Sequence, residues 1–271
     1  MDDHRKVYIL PNLMTAGNLI CGFMAVLQIF EGTMLRRYVG EEWHVHYEYS
    51  LYFILLACVF DLLDGRMARM SGHMTPFGRE FDSLADIVSF GVAPALLLFN
   101  IVLYELPDRL GWVIGGLYLV CGAMRLARFN VTAAELERKG VHKNDFEGLP
   151  IPAAAGLIAS ITLTLLTLYQ NEQSIGYWKY VLAGLMVVMS LMMFSEVRYP
   201  SFKGLNLKTK RTIPRFLVIV LTLGVIGYFW RYSLTVIFTS YLIYGFVRPR
   251  ITKRWRPDFD DEEENGESHV A

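Results

Sequence analysis

The sequence predicts an all-α membrane protein, a polytopic bundle of about eight transmembrane helices, and three observations predict it. Of 271 residues, 54% are hydrophobic and 14% aromatic against 19% charged, a low charge content for a water-soluble chain. Apolar runs close to the roughly twenty residues needed to cross a hydrocarbon core recur along the chain. No run alternates with the period of two that a membrane strand requires, and backbone in lipid must satisfy its hydrogen bonds within a helix or a closed barrel.

The segments lie at about 8–30, 49–70, 77–104, 110–130, 149–169, 177–196, 213–231 and 233–247. The first carries Gly17, Cys21 and Gly22 at helix-contact spacing, where a second backbone can approach. No small-residue cleavage site follows it, so it is expected to be retained rather than removed as a signal peptide. The second and third bear four aspartates at the ends that face each other across a short connection. The fourth ends in Arg125 and Arg128. The fifth opens with Pro150 and Pro152, tolerated in a first turn where a missing N–H does no harm, and continues through the small run Ala153, Ala154, Ala155 and Gly156. Helices five to eight are largely apolar. The eighth is short and follows the seventh through a tight turn at Arg231, Tyr232 and Ser233.

Cys21, Cys58 and Cys121 all fall inside apolar runs without paired spacing, which makes them small buried hydrophobes. Formal net charge is zero, yet the last fourteen residues hold seven of the 26 carboxylates and no Lys or Arg. The remainder is basic. Residues 1–257 are read as one integral membrane domain and 258–271 as a disordered acidic tail, since like charges do not collapse onto a core.

With alternate loops on alternate sides, the side holding both termini collects 21 of the 26 Lys and Arg residues. By the positive-inside bias that side is cytoplasmic, in a multi-pass protein of the cell membrane. Residues 131–148 and 197–212 are then polar cytoplasmic loops. Lys203, Lys208, Lys210, Arg211, Lys253, Arg254 and Arg256 suit anionic lipid headgroups. No nucleic acid is expected as a partner, because the aromatics lie mostly in the spans and leave too few in the basic loops to form a stacking surface.

Asp61 and Asp64 are three apart near the cytoplasmic end of the second helix, and Asp82 and Asp86 four apart near the start of the third. At 3.6 residues per turn each pair projects within roughly 40 to 60 degrees of one direction, and the hairpin lets the pairs converge. An aspartate at mid-bilayer costs roughly 3 kcal/mol, less near the interface, so four together are unfavourable unless protons or a cation neutralise them. Oxygen-only ligands suit Mg2+ or Mn2+, and no thiolate or imidazole cluster favours zinc. His73 and His142 are loop residues, and His44 and His46 fall on the other side. Gly65, Ala68 and Gly78 flank the carboxylates and leave room for a bulky ligand near the backbone.

Asp61, Asp64, Gly65, Ala68, Arg69, Gly78, Asp82 and Asp86 match every specified position of D-x-x-D-G-x-x-A-R-x(8)-G-x-x-x-D-x-x-x-D. By that motif the chain resembles the CDP-alcohol phosphotransferase superfamily. Within it, "PNLMTAGNLICGF" (11–23), "DIVSFGVAPALLL" (86–98), "RLARFN" (125–130) and "GLPIPAAAG" (148–156) are similar to the bacterial and archaeal phosphatidylserine synthases. The resemblance runs from about residue 7 to 160. It implies transfer of a phosphatidyl group from CDP-diacylglycerol to L-serine with release of CMP, at two Mg2+ or Mn2+ ions held by Asp61, Asp64, Asp82 and Asp86. Asp86 would also be the base on the serine hydroxyl. Gly65, Ala68 and Gly78 would admit the nucleotide, Arg69 and Thr75 would contact its phosphate or ribose, and Asn12 with Thr15 would close the pocket. Arg128 or Asn130 would lie near the serine carboxylate or the lipid phosphate. A homodimer is compatible with the resemblance.

Three other readings stand beside this one. Intramembrane prenyltransferases also use Asp clusters, but their two motifs lie far apart in sequence. A divalent-cation transporter would want polar residues spread through several helices. A sister enzyme using glycerol 3-phosphate or inositol phosphate would need further cations for a second phosphate, which Arg125 and Arg128 leave open.

Overall fold

A computed structural model describes residues 3–39, 42–71, 75–139, 145–170, 177–195, 198–200 and 230–255. They form α1 (Asp3–Tyr38), α2 (Trp43–Ser71), α3 (Pro76–Asp86), α4 (Ala93–Ile101), α5 (Leu110–Lys139), α6 (Ile151–Gln170), α7 (Trp178–Phe194) and α8 (Trp230–Trp255). A π-helical turn, Ile87–Val92, joins α3 to α4 as one rod, Pro76–Ile101. Two 3-10 turns, Leu103–Glu105 and Pro107–Arg109, then reverse the chain into α5.

Four described helices are long and apolar enough to cross a membrane, at Asn12–Tyr38, Pro76–Ile101, Pro107–Glu135 and Ile151–Leu168; Trp178–Phe194 and Tyr232–Tyr244 are shorter apolar helices. The chain is therefore a membrane-embedded helical protein, with four such spans where the sequence suggests about eight. α2 is 29 residues long but carries Asp61, Asp64 and Arg66 in its second half. Of the expected seventh segment, all but Trp230 and Arg231 lies outside the described residues, as does the acidic stretch 258–271.

α1 packs along α2, α5 along α7 and α6 along α8, while α6 also meets α2, α4 and the π turn. In lipid, apolar surface gains little from leaving one hydrocarbon environment for another, so close fit decides which helices touch. A Cβ at Gly17 would stand 3.1 Å from the Phe60 ring, and one at Gly22 would stand 2.7 Å from the Cα of Ser89. Gly156 likewise gives its space to the ring of Phe238 on α8. Arg36, in the last turn of α1, donates to the Asn100 carbonyl at 3.0 Å and the Tyr104 hydroxyl at 2.8 Å and lies 4.8 Å over the Trp43 ring. That knot fastens α1, α2 and α4 about 27 Å along the α1 axis from Asn18.

The polar loops expected at 131–148 and 197–212 are not wholly irregular. Asp145–Glu147 (β1) and Arg198–Pro200 (β2) pair antiparallel, with Phe146 opposite Tyr199. The two helices between them, α6 and α7, return the chain to the level at which it left. Beside the ribbon, Leu149 N–H donates to the Met192 carbonyl at 3.2 Å. Gly148 has φ +79, a conformation open to glycine, and a Cβ there would meet the Met193 carbonyl oxygen at 2.7 Å.

Candidate active site

Thr75 determines where α3 begins. Its backbone is extended, its hydroxyl accepts from the Gly78 N–H at 3.0 Å, and Pro76 follows at the first helical position. That start sets the phase at which Asp82 and Asp86 project toward α2. Asp61, Asp64 and Asp82 each offer a carboxylate oxygen within 4.8 Å of the others. The Oδ1 of Asp82 is buried and accepts no hydrogen bond among the described residues.

Asp86 sits one turn further along α3 and is not one of that trio. It is 5% exposed, and Asn18 Nδ2 donates to its Oδ1 at 3.0 Å. Its other oxygen takes no hydrogen bond from the described residues. Asn18 itself is fully buried, and its backbone carbonyl accepts from Ser89 Oγ at 2.9 Å. Ser89 belongs to the π turn that follows Asp86 directly. Such turns loosen the helical ladder and free carbonyls for other donors, and Phe90 O here accepts from the buried Tyr118 hydroxyl at 3.0 Å. α1, the π turn and α5 thus fix the backbone that carries Asp86.

α1 supplies two more contacts. Thr15, 3% exposed, donates to Asp64 Oδ2 at 3.0 Å. The Asn12 side-chain oxygen lies over Gly78, where an added Cβ would stand 3.3 Å from it. A Cβ at Gly65 would meet nothing within 4 Å, so the trio's α2 side borders open space.

α5 brings Arg125, Arg128 and Asn130 to this end of the bundle, with different results. Arg128 spends both terminal nitrogens on α7, donating to Phe194 O at 3.1 Å and Ser195 O at 3.0 Å. Asn130 donates to Ser83 Oγ at 2.9 Å and so ties α5 to α3 beside Asp82. Arg125 is 7% exposed, and its Nε has no hydrogen-bond partner among the described residues.

Of the residues expected from sequence, Asn12, Thr15, Asp61, Asp64, Thr75, Gly78, Asp82 and Asp86 meet where α1, α2 and α3 come together. Arg128 is committed to the end of α7 and Asn130 to Ser83. Ala68 and Arg69 lie on α2, but their side chains are outside the described residues. Sequence reasoning missed Asn18, although it stands three residues from Thr15, on the same side of an otherwise apolar helix. Ser83, at an unspecified position of the motif, was also missed.

The trio fits a hard divalent cation. Ligands about one such ion stand roughly 3 to 4 Å apart at metal–oxygen distances of about 2.1 Å, which the 4.8 Å limit approaches. The Asp82 oxygen left without a donor among the described residues would suit a cation, since a buried carboxylate oxygen with no donor is otherwise costly. All three residues offer oxygen ligands, as Mg2+ and Mn2+ prefer.

Residues 8–192 match the family model described as CDP-alcohol phosphatidyltransferase. A Helicobacter pylori protein named CDP-diacylglycerol–serine O-phosphatidyltransferase is 32% identical over 244 residues, covering 89% of this chain and 91% of that one. A Bacillus subtilis protein of the same name is 30% identical over 194 residues, 72% of this chain and 91% of that one. The archaetidylserine synthase of Methanothermobacter thermautotrophicus is 33% identical over 202 residues, 74% and 73% of the two chains.

Proposed function

The chain belongs to the CDP-alcohol phosphatidyltransferase family, and from that premise we propose that it transfers the phosphatidyl group of CDP-diacylglycerol to L-serine, giving phosphatidylserine and CMP. The names of its relatives support serine as the alcohol. The reaction class rests on one observation: three carboxylates converge while a fourth, Asp86, one turn further along α3, accepts a hydrogen bond from Asn18.

Asp61, Asp64 and Asp82 would hold divalent ions, Mg2+ or Mn2+, with Asp86 completing a second site. When bound, such ions neutralise charge on the diphosphate and stabilise the departing CMP. The chain's own residues do the rest. Thr15 fixes one oxygen of Asp64, and Asn18 fixes one oxygen of Asp86. The unbonded Asp86 oxygen takes the proton of the serine hydroxyl as that oxygen bonds to the diacylglycerol-bearing phosphorus and the phosphorus–oxygen bond to CMP breaks. Aspartate is ordinarily a weak base for an alcohol, so orientation must supply much of its effect. Gly65 leaves room for the nucleotide, and Asn12, Thr75 and Gly78 form the wall beside it, with Ala68 and Arg69 on the same turn of α2. Ser83, held by Asn130, keeps α3 against α5.

The protein is proposed to cross the cell membrane several times, with both termini and the site on the cytoplasmic side, where serine and CMP are soluble. The test is CMP release by purified protein in detergent from CDP-diacylglycerol and Mn2+ or Mg2+, with serine, glycerol 3-phosphate or inositol phosphate in turn. Release with serine alone is the expected outcome. Release with glycerol 3-phosphate but not serine would overturn the substrate, and none with any alcohol would overturn the reaction.

A further inference from the structure

The π turn Ile87–Val92 springs directly from Asp86, its N-cap, and closes with Ala93 N–H on the Val88 carbonyl. In a regular ladder the Phe90 carbonyl would accept from the residue four places on. That residue is Pro94, in the first turn of α4, which has no N–H and whose ring crowds the carbonyl before it. The sequence itself therefore turns the Phe90 carbonyl out of the ladder. Tyr118 on α5 supplies the missing donor, its hydroxyl lying 3.0 Å from that oxygen. Phe90 and Tyr118 are both fully buried in a membrane-embedded bundle, where an unsatisfied carbonyl is costly. α5 also presses on the next residue of the turn, since a Cβ at Gly91 would stand 2.9 Å from Leu119 Cδ1. From the other side Ser89 Oγ donates to the carbonyl of Asn18, the residue whose side chain holds Asp86. α1 and α5 thus grip consecutive residues of one wide turn.

We propose that Tyr118 is a positioning residue for the base: by giving the Phe90 carbonyl the donor that Pro94 withholds, it pins the wide turn immediately beyond Asp86 and so sets the angle at which the unbonded Asp86 oxygen meets the acceptor hydroxyl. The inference rests on the serine-transfer reading above and deepens it. A phenylalanine would fill the same space, so the hydroxyl is what the turn requires. The surplus residue of a π turn does not vanish when an anchor is lost; it can slide along the rod. Sliding toward α3 draws Asp86 into the wide turn and changes its phase, while Asp61 and Asp64 on α2 stay where they are. Displacing a reacting group by about 1 Å can lower a rate by about 100-fold, so a remote hydroxyl suffices to matter.

The experiment uses full-length protein in detergent with CDP-diacylglycerol, Mn2+ and L-serine. Tyr118→Phe, which keeps the ring and removes the donor, should lower kcat for CMP release by about tenfold or more. The KM values for serine and CDP-diacylglycerol, and Mn2+ affinity by calorimetry, should stay within about twofold. In the Asp86→Asn background the same change should lower the residual rate, followed under excess enzyme, by less than about twofold, since no base is left to aim. A merely structural tyrosine would have the same effect in both. The second measurement reads stability rather than turnover: Pro94→Ala returns an N–H to the ladder for the Phe90 carbonyl, so the fall in melting temperature caused by Tyr118→Phe should shrink by about half or more in the Pro94→Ala background. A kcat within about twofold of the unmodified protein, a loss carried by KM instead, an equal loss with and without Asp86, or an equal fall in melting temperature with and without Pro94 overturns the proposal while serine-dependent CMP release by the unmodified protein still stands. Absence of that release overturns the function and this proposal with it.

Discussion

At the scale of single residues, the proposed reaction gives Asp86 and the trio beside it separable tasks. Replacing Asp86 by Asn keeps the shape and the Asn18 contact but removes the proton acceptor, and CMP release should fall by about 100- to 10,000-fold. Binding of CDP-diacylglycerol, followed by equilibrium titration, should change far less. Asn18→Ala should cost about tenfold to 100-fold in kcat, because a buried hydrogen bond to a charged group contributes about 1.5 to 3 kcal/mol and its loss frees the carboxylate to turn. Asn substitutions at Asp61, Asp64 or Asp82 should instead weaken Mn2+ binding measured by calorimetry. Chelation should abolish turnover, with recovery on adding Mg2+ or Mn2+. The four aspartates were legible because motif spacing and helix periodicity point to the same face. The difference between Arg125 and Arg128 was not. Three residues apart on one helix, they differ by roughly 60 degrees of rotation, and which one meets the end of α7 depends on how Gly148 and the ribbon seat that end.

At the scale of elements, two glycines with the same helical backbone role should respond in opposite ways. Gly22→Val forces a branched side chain onto Ser89 at the crossing of α1 with the π turn, and should destabilise the protein by about 1 to 3 kcal/mol, read as a lower melting temperature in detergent. Gly65→Ala meets empty space, so the melting temperature should hold or rise, while the CDP-diacylglycerol KM increases if that space is the nucleotide's. Unchanged kinetics in Gly65→Ala would remove the open side of the trio from the site. The limits of the rod from Pro76 to Ile101 were close to readable, since Thr75-Pro76 announces its start. Its π turn was not, because Ile87–Val92 is as apolar as its surroundings and the widened turn is held by Ser89 and Tyr118 contacts with partners far away in sequence. The ribbon β1–β2 escaped for the same reason: three residues in each of two polar loops carry no periodic signal of their own.

At the scale of the whole molecule, the site draws on the first half of α1, the second half of α2, the start of the rod and the last turns of α5. Antiparallel neighbours that alternate in this way place the site at one end of the bundle, and the Arg36 knot lies at the other. On the proposed topology, the charge bias puts the site end on the cytoplasmic side. Single cysteines at Lys143 and Ser268 should therefore be labelled by an impermeant maleimide only in inside-out vesicles, and one at Glu42 only in right-side-out vesicles. Labelling of Lys143→Cys and Glu42→Cys from the same side would refute the alternation.

The π turn has one further consequence. A wide turn of this kind amounts to one additional residue in an α-helix, and each residue advances a helix by about 100 degrees. Excising a single residue from 87–92 would restore an ordinary ladder and swing Ala93, Leu97 and Ile101 out of the packed interior while Asp82 and Asp86 kept their aim. The rod meets both its chemistry and its packing because its two halves are deliberately out of phase.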